Sequence, residues 1–203
     1  MKKVIFVALL SFLGFTQADA QVSFKPGVRA GINFSHFTQT DNPNEKFSSK
    51  TDFYAGVFGA LQLSKFYTLQ PELVFTKQGS EYEYIDSDNK KFKETIDLSY
   101  ISVGVANKFT FNRFNFVVGP TVDVRINDNN KSLNATYNDS YDYYYDDYNG
   151  IDFAFFVGAG VEITKNFGIE ARIKKGIIPV NGDWDYTNVV YQVGLNYAFD
   201  IKK

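Results

Sequence analysis

The sequence predicts an all-β chain, an eight-stranded antiparallel up-and-down transmembrane β-barrel, and three observations predict it. Stretches of strand length alternate apolar with polar or small residues along most of the chain, so one face of each is greasy. Phe and Tyr are abundant, 21 and 14 among 203 residues, and aromatics suit a pleated surface better than a helix. The connections alternate long and short, which matches barrels with short periplasmic turns and longer external loops.

The chain opens with Met1–Ala20, laid out as a secretory signal peptide. Lys2 and Lys3 form a positive start, Val4–Phe15 an apolar stretch, and Ala18-Asp19-Ala20 a small-x-small cleavage site. The apolar stretch is shorter than the roughly 20 residues a spanning helix needs. The rest, 21–203, reads as a single barrel domain. Cysteine is absent, which removes disulfides, thiolate metal sites and a lipoprotein anchor together. A net charge of -2 leaves no basic footprint for nucleic acid.

Eight strands follow in order. Lys25–Phe34 sets Val28, Ala30, Ile32 and Phe34 against Arg29, Gly31 and Asn33. Asp52–Leu63 and Phe66–Lys77 repeat the pattern, the latter with Leu69, Leu73 and Phe75 opposite Gln70 and Glu72. Ile96–Thr110 has Ile101, Val103, Val105 and Phe109 on its apolar face, and Phe114–Ile126 alternates most strictly. Ile151–Thr164, Phe167–Lys175 and Val189–Phe199 complete the set. Tight turns at Ser64-Lys65, Phe111-Asn112-Arg113 and Lys165-Asn166 alternate with long polar loops at His36–Thr51, Gln78–Thr95, Asn127–Gly150 and Gly176–Thr187. Closure requires the eighth strand to meet the first near Val28–Phe34, which leaves no free edge. Pro71 and Pro120 interrupt strands of a barrel without edges, so each is expected to mark a bulge or bend.

The sense of the barrel follows from its polar face, which mixes charges with many glycines. A soluble lipocalin-like barrel would be apolar inside and charged outside; a membrane barrel inverts this. Arg29, Glu72, Lys108, Asp123, Arg125, Glu162, Glu170 and Arg172 are therefore expected to form a lumenal polar network. Arg29, Lys108, Arg125 and Arg172 are the candidate partners of Glu72, because a buried carboxylate needs one. Phe34, Phe53, Phe75 and Phe153 at one level, and Phe109, Phe114, Phe167, Tyr197 and Phe199 at the other, suit two interfacial girdles.

The stretches Gly27–Ser35 (G-V-R-A-G-I-N-F-S), Leu69–Leu73 (L-Q-P-E-L), Val118–Pro120, Gly158–Ile163 (G-A-G-V-E-I) and Glu170–Gly176 (E-A-R-I-K-K-G), with the closing aromatic strand, resemble the PorT family of Bacteroidetes outer-membrane β-barrel proteins. The likeness runs in order over nearly the whole mature chain. Lys174-Lys175 departs from it, since the family more often has an aromatic there. The resemblance implies a structural or surface role in the outer membrane, or an accessory part in type IX protein secretion. Resemblance to outer-membrane proteins generally also makes Tyr197 and Phe199 a signal for the barrel assembly machinery, with outer-membrane lipid as the other partner.

Sites of chemistry are sparse. His36 is the only histidine, and without a G-x-S-x-G signal or partner groups it makes no hydrolase constellation. A small outer-membrane protease or lipid A acyltransferase is the enzyme alternative, and the missing histidine set speaks against it. In Asn127–Gly150, Asp139, Asp142, Asp146 and Asp147 could offer oxygens to Ca²⁺ but lack EF-hand spacing. Together with Tyr141, Tyr143, Tyr144 and Tyr145 they resemble a recognition surface for a protein or glycan, or a plain solvated hairpin tip. No cofactor is expected.

Overall fold

The computed structural model describes residues 22–39, 42–87, 89–133, 148–182 and 185–201. The expected signal segment 1–20 and the segment Asp139–Asp147, read above as a candidate recognition surface, lie outside them. Nine strands are described: β1 (Ser23–Phe37), β2 (Glu45–Ser48), β3 (Lys50–Gln62), β4 (Tyr67–Ile85), β5 (Lys91–Phe111), β6 (Phe114–Leu133), β7 (Ile151–Glu162), β8 (Phe167–Gly176) and β9 (Asn188–Ala198). Eight of them form an antiparallel ring, β3-β1-β9-β8-β7-β6-β5-β4, closed by the β3–β4 pairing; β2 is a short ninth strand laid on the external end of β4.

The closing seam runs from Gly27 opposite Ala198 to Phe37 opposite Asn188, so the last strand meets the first as closure demands. The register is staggered. A path from Gly27 passes Phe58, Glu72, Gly104, Thr121, Ala154 and Gly176, crosses to Asn188, and re-enters β1 at Phe37. Such shear tilts the strands, and eight tilted strands enclose a space that side chains alone can fill.

The faces have the membrane sense. Val57, Leu73, Val103, Phe116, Phe155 and Val193 point outward and are about half exposed, whereas Arg29, Glu72, Asp123 and Arg172 point inward and are at most 7% exposed. Rings cluster at both rims of the outer face. Phe53 lies 5.8 Å from Phe75 on the external side; Tyr67 lies 5.3 Å from Phe109, and Tyr197 5.1 Å from Phe199, on the periplasmic side.

Two expectations need correction. The prolines make no bulge: pairing opposite Pro71 and Pro120 lapses on one side only, and the register is the same beyond the gap. Proline lacks only the N–H, so losing one rung suffices. The register shift falls instead between Ser99 and Tyr100, opposite Ile126. The long loops are also shorter than expected, because β4 continues to Ile85, β5 begins at Lys91, β6 continues to Leu133 and β2 occupies Glu45–Ser48. In these extensions the apolar face reverses. On β5, Ile96, Leu98 and Tyr100 face inward and are fully buried, while from Ile101 onward the large apolar residues face outward. The external part thus has the sense of a soluble barrel, and the spanning part its inverse.

Candidate functional site

The lumen is built in layers. Inward positions on β1, β4 and β8 bring Arg29, Glu72, Glu170 and Arg172 together at its centre, two cations against two anions, each side chain at most 6% exposed. Arg172 donates from Nη1 and Nη2 to the two oxygens of Glu72 at 2.8 and 2.7 Å, and from Nε to Glu170 Oε1 at 2.5 Å. Arg29 Nη1 donates to Glu72 Oε2 at 2.5 Å, and its Nη2 lies 3.6 Å from Glu170 Oε1. Gln70 Nε2 adds a bond to Glu72 Oε1 at 2.7 Å. The planar guanidinium fork matches a carboxylate, which is why arginine holds this place rather than lysine. Both guanidiniums also lie over rings, Arg172 4.3 Å from the Phe156 centroid and Arg29 5.0 Å from that of Tyr54.

Towards the outside, Lys174 pairs with Asp123, both buried. A cavity of about 20 Å³ between this pair and the quartet has room for one water. Beyond it, Asn33 donates to Thr76 Oγ1 at 2.8 Å and accepts from Gln192 at 3.0 Å, and Asn188 donates to Asp152 at 3.0 Å. An apolar cap covers these polar layers. It comprises Phe37, Phe47, Ile96, Leu98, Tyr100, Tyr148 and Val180, with Tyr82 and Tyr186 against them. The Phe47 ring is its centre, 5.4 Å from Phe37 and 4.8 Å from Tyr186. On the periplasmic side, Lys108 pairs with Glu162 at 3.0 Å beside a cavity of about 290 Å³.

The structure divides the expected network. Arg29, Glu72, Glu170 and Arg172 meet directly. Asp123 sits one layer outward, and Lys108 with Glu162 one layer towards the periplasm, so Lys108 is no partner of Glu72. Arg125 is a correction: it pairs with Asp128 and donates to the Tyr148 carbonyl at 2.6 Å, at the external rim. Lys174 was not expected in the network, although its parity with Glu170 and Arg172 pointed inward. A second cluster at the rim, Lys50 between Asp52 and Asp97, left no signal, since it needs β2 and β3 to diverge at Ser49. His36 faces outward and stacks on Tyr191, ring centroids 6.0 Å apart, so it addresses no lumenal group.

The family described as outer membrane protein beta-barrel domain has a model that matches residues 16–182. No curated protein matches the chain in sequence. Among solved structures, Neisserial surface protein A (NspA) aligns with a TM-score of 0.52 at 11% identity, covering 86% of this chain and 97% of that one. Ail, the attachment invasion locus protein of Yersinia pestis, gives 0.49 at 13% identity, covering 86% and 98%. OprG from Pseudomonas aeruginosa gives 0.48 at 10% identity, covering 89% and 98%. At 11% identity the likeness to NspA concerns the fold.

Proposed function

The chain belongs to the outer membrane protein beta-barrel domain family and resides in the outer membrane, and from that premise we propose that it is a non-enzymatic barrel with a closed lumen, structural or surface-interacting in role. One observation carries this reading. The lumen is filled by a neutral, fully paired quartet and covered by an apolar cap, so the external face is where a partner can act. Against a protease or lipid A acyltransferase stands His36, the only histidine, turned outward onto Tyr191.

The recognition surface in this reading is the Asp- and Tyr-rich segment Asp139–Asp147, which takes a protein or glycan. Its deletion is expected to reduce binding of whole cells to glycan arrays and to neighbouring cells, while heat-modifiable migration of the folded barrel stays the same. Unchanged binding and growth would sink the recognition role. The finer placement, in the PorT family with a part in type IX secretion, rests on the motif succession from Gly27 to Phe199. A deletion strain that secretes normally would leave only the surface role.

A further inference from the structure

The inverted sense of the barrel leaves one residue on β8 unexplained. Lys175 is exposed on the outward face, with Ile173 on one side and Ile177 on the other, 47% and 57% exposed. Its neighbours across the ladder are Phe155 and Val189, both apolar. At a rise of about 3.3 Å and a tilt of about 40°, it stands about 20 Å from the level of Phe167, inside an apolar band about 25 Å tall.

Lys50, Lys108 and Lys174 each have a carboxylate, but Lys175 forms no ion pair among the described residues. What lies beside it is another basic group. The row from Lys175 passes through Val189 to His36, which also faces outward with its ring on Tyr191. Two strand spacings, about 10 Å, separate the two backbones, and a lysine stem can close that gap. A cation facing lipid costs about 2–4 kcal/mol at the midplane and less near the interface. A second basic group raises that cost, and an anion on the lipid side would offset both charges.

We propose that Lys175, His36 and Tyr191 bind the phosphate of a lipid in the external leaflet, whose acyl chains run down the outer faces of β8, β9 and β1 over Val193 and Ile32. Lys175 supplies the charge; His36 and the Tyr191 hydroxyl donate hydrogen bonds. The site faces the band over Val189, which lies between Lys175 and His36, and this favours a phosphate carried on chains over one free in water.

The test uses the full barrel refolded in a neutral maltoside detergent. It is titrated with diphosphorylated lipid A, with the same lipid dephosphorylated, and with inorganic phosphate, and bound lipid is read by native mass spectrometry. The phosphorylated lipid is expected to bind, the other two to bind at least about fivefold more weakly, and Lys175→Gln to lose about fivefold. Lys46→Gln, on β2, should bind like the wild type. Equal binding of the two lipids, equal binding by Lys175→Gln, or saturation by inorganic phosphate would overturn the proposal. Lys175→Leu gives a second reading. It should unfold at a higher temperature than the wild type in lipid-free detergent and show no further rise with phosphorylated lipid. A lower unfolding temperature without lipid would mean that Lys175 serves the fold, and would also overturn it.

Discussion

Glu72 is the residue on which the lumen turns, because two guanidiniums and Gln70 all converge on its two oxygens. Removing one partner from a buried charge set leaves the rest uncompensated, at about 3–5 kcal/mol. Arg172→Met, which leaves Arg29 alone to balance Glu72 and Glu170, is therefore expected to lower the stability of the refolded barrel by about that much in urea titration. Pairing Arg172→Gln with Glu72→Gln should recover part of the loss, a coupling of roughly 0.5–3 kcal/mol in a double-mutant cycle. Strict additivity would mean the two side chains do not interact. Gly31 and Gly194 face each other across the closing seam, and the Tyr54 side chain packs against both. A methyl at Gly194 would meet the Tyr54 hydroxyl at 2.2 Å and the Ala30 carbonyl at 2.3 Å. Gly194→Ala is expected to cost about 1–3 kcal/mol, because the backbone carbonyl cannot move aside as a side chain can. A neutral result in the same titration would place the seam further apart than described.

At the scale of the element, β5 carries two opposite patterns end to end, and the change at Tyr100–Ile101 marks where lipid gives way to water. Val105→Lys on the lipid face should therefore destabilise by about 2–4 kcal/mol in a bilayer. Thr95→Lys, six residues beyond Ile101 on the same outward face, should stay within about 0.5 kcal/mol. Leu98→Ala empties part of the cap and should cost about 2–5 kcal/mol. Equal penalties for the two lysines would remove the boundary. This same reversal explains what could be read in advance. The spanning halves of the strands were legible because one face is apolar, from Phe114 to Ile126 on β6 and, broken only at Asn107, from Ile101 to Phe109 on β5. The extensions were not, because Glu81-Tyr82-Glu83-Tyr84-Ile85 alternates on the opposite face and looks like polar loop when judged against lipid. Parity gave most of the inward charges but left out Lys174 and drew in Arg125, and it offered four partners for Glu72 without separating Arg29 and Arg172 from Lys108 and Arg125. Glu72 and Arg172 are 100 residues apart, and only the staggered register brings them together across the lumen.

Over the whole molecule, the layers stack from a periplasmic vestibule through the quartet and the Lys174–Asp123 pair to the aromatic cap. The polar layers face a lumen too narrow for bulk water, and the cap draws on β1, β2 and β5 and on the segments at Tyr148, Val180 and Tyr186, so it forms only when the ring is closed. Closure of the ring and closure of the lumen are thus one event. In the proposed reading the external face is the contact surface, and the lipid face the place where Lys175 meets its phosphate. Single-channel recording of the refolded protein in a planar bilayer tests this most directly. The layered lumen predicts a quiet baseline, with no steady conductance level, under voltages at which an open eight-stranded pore would conduct. A steady, well-defined open level in the wild-type barrel would contradict it.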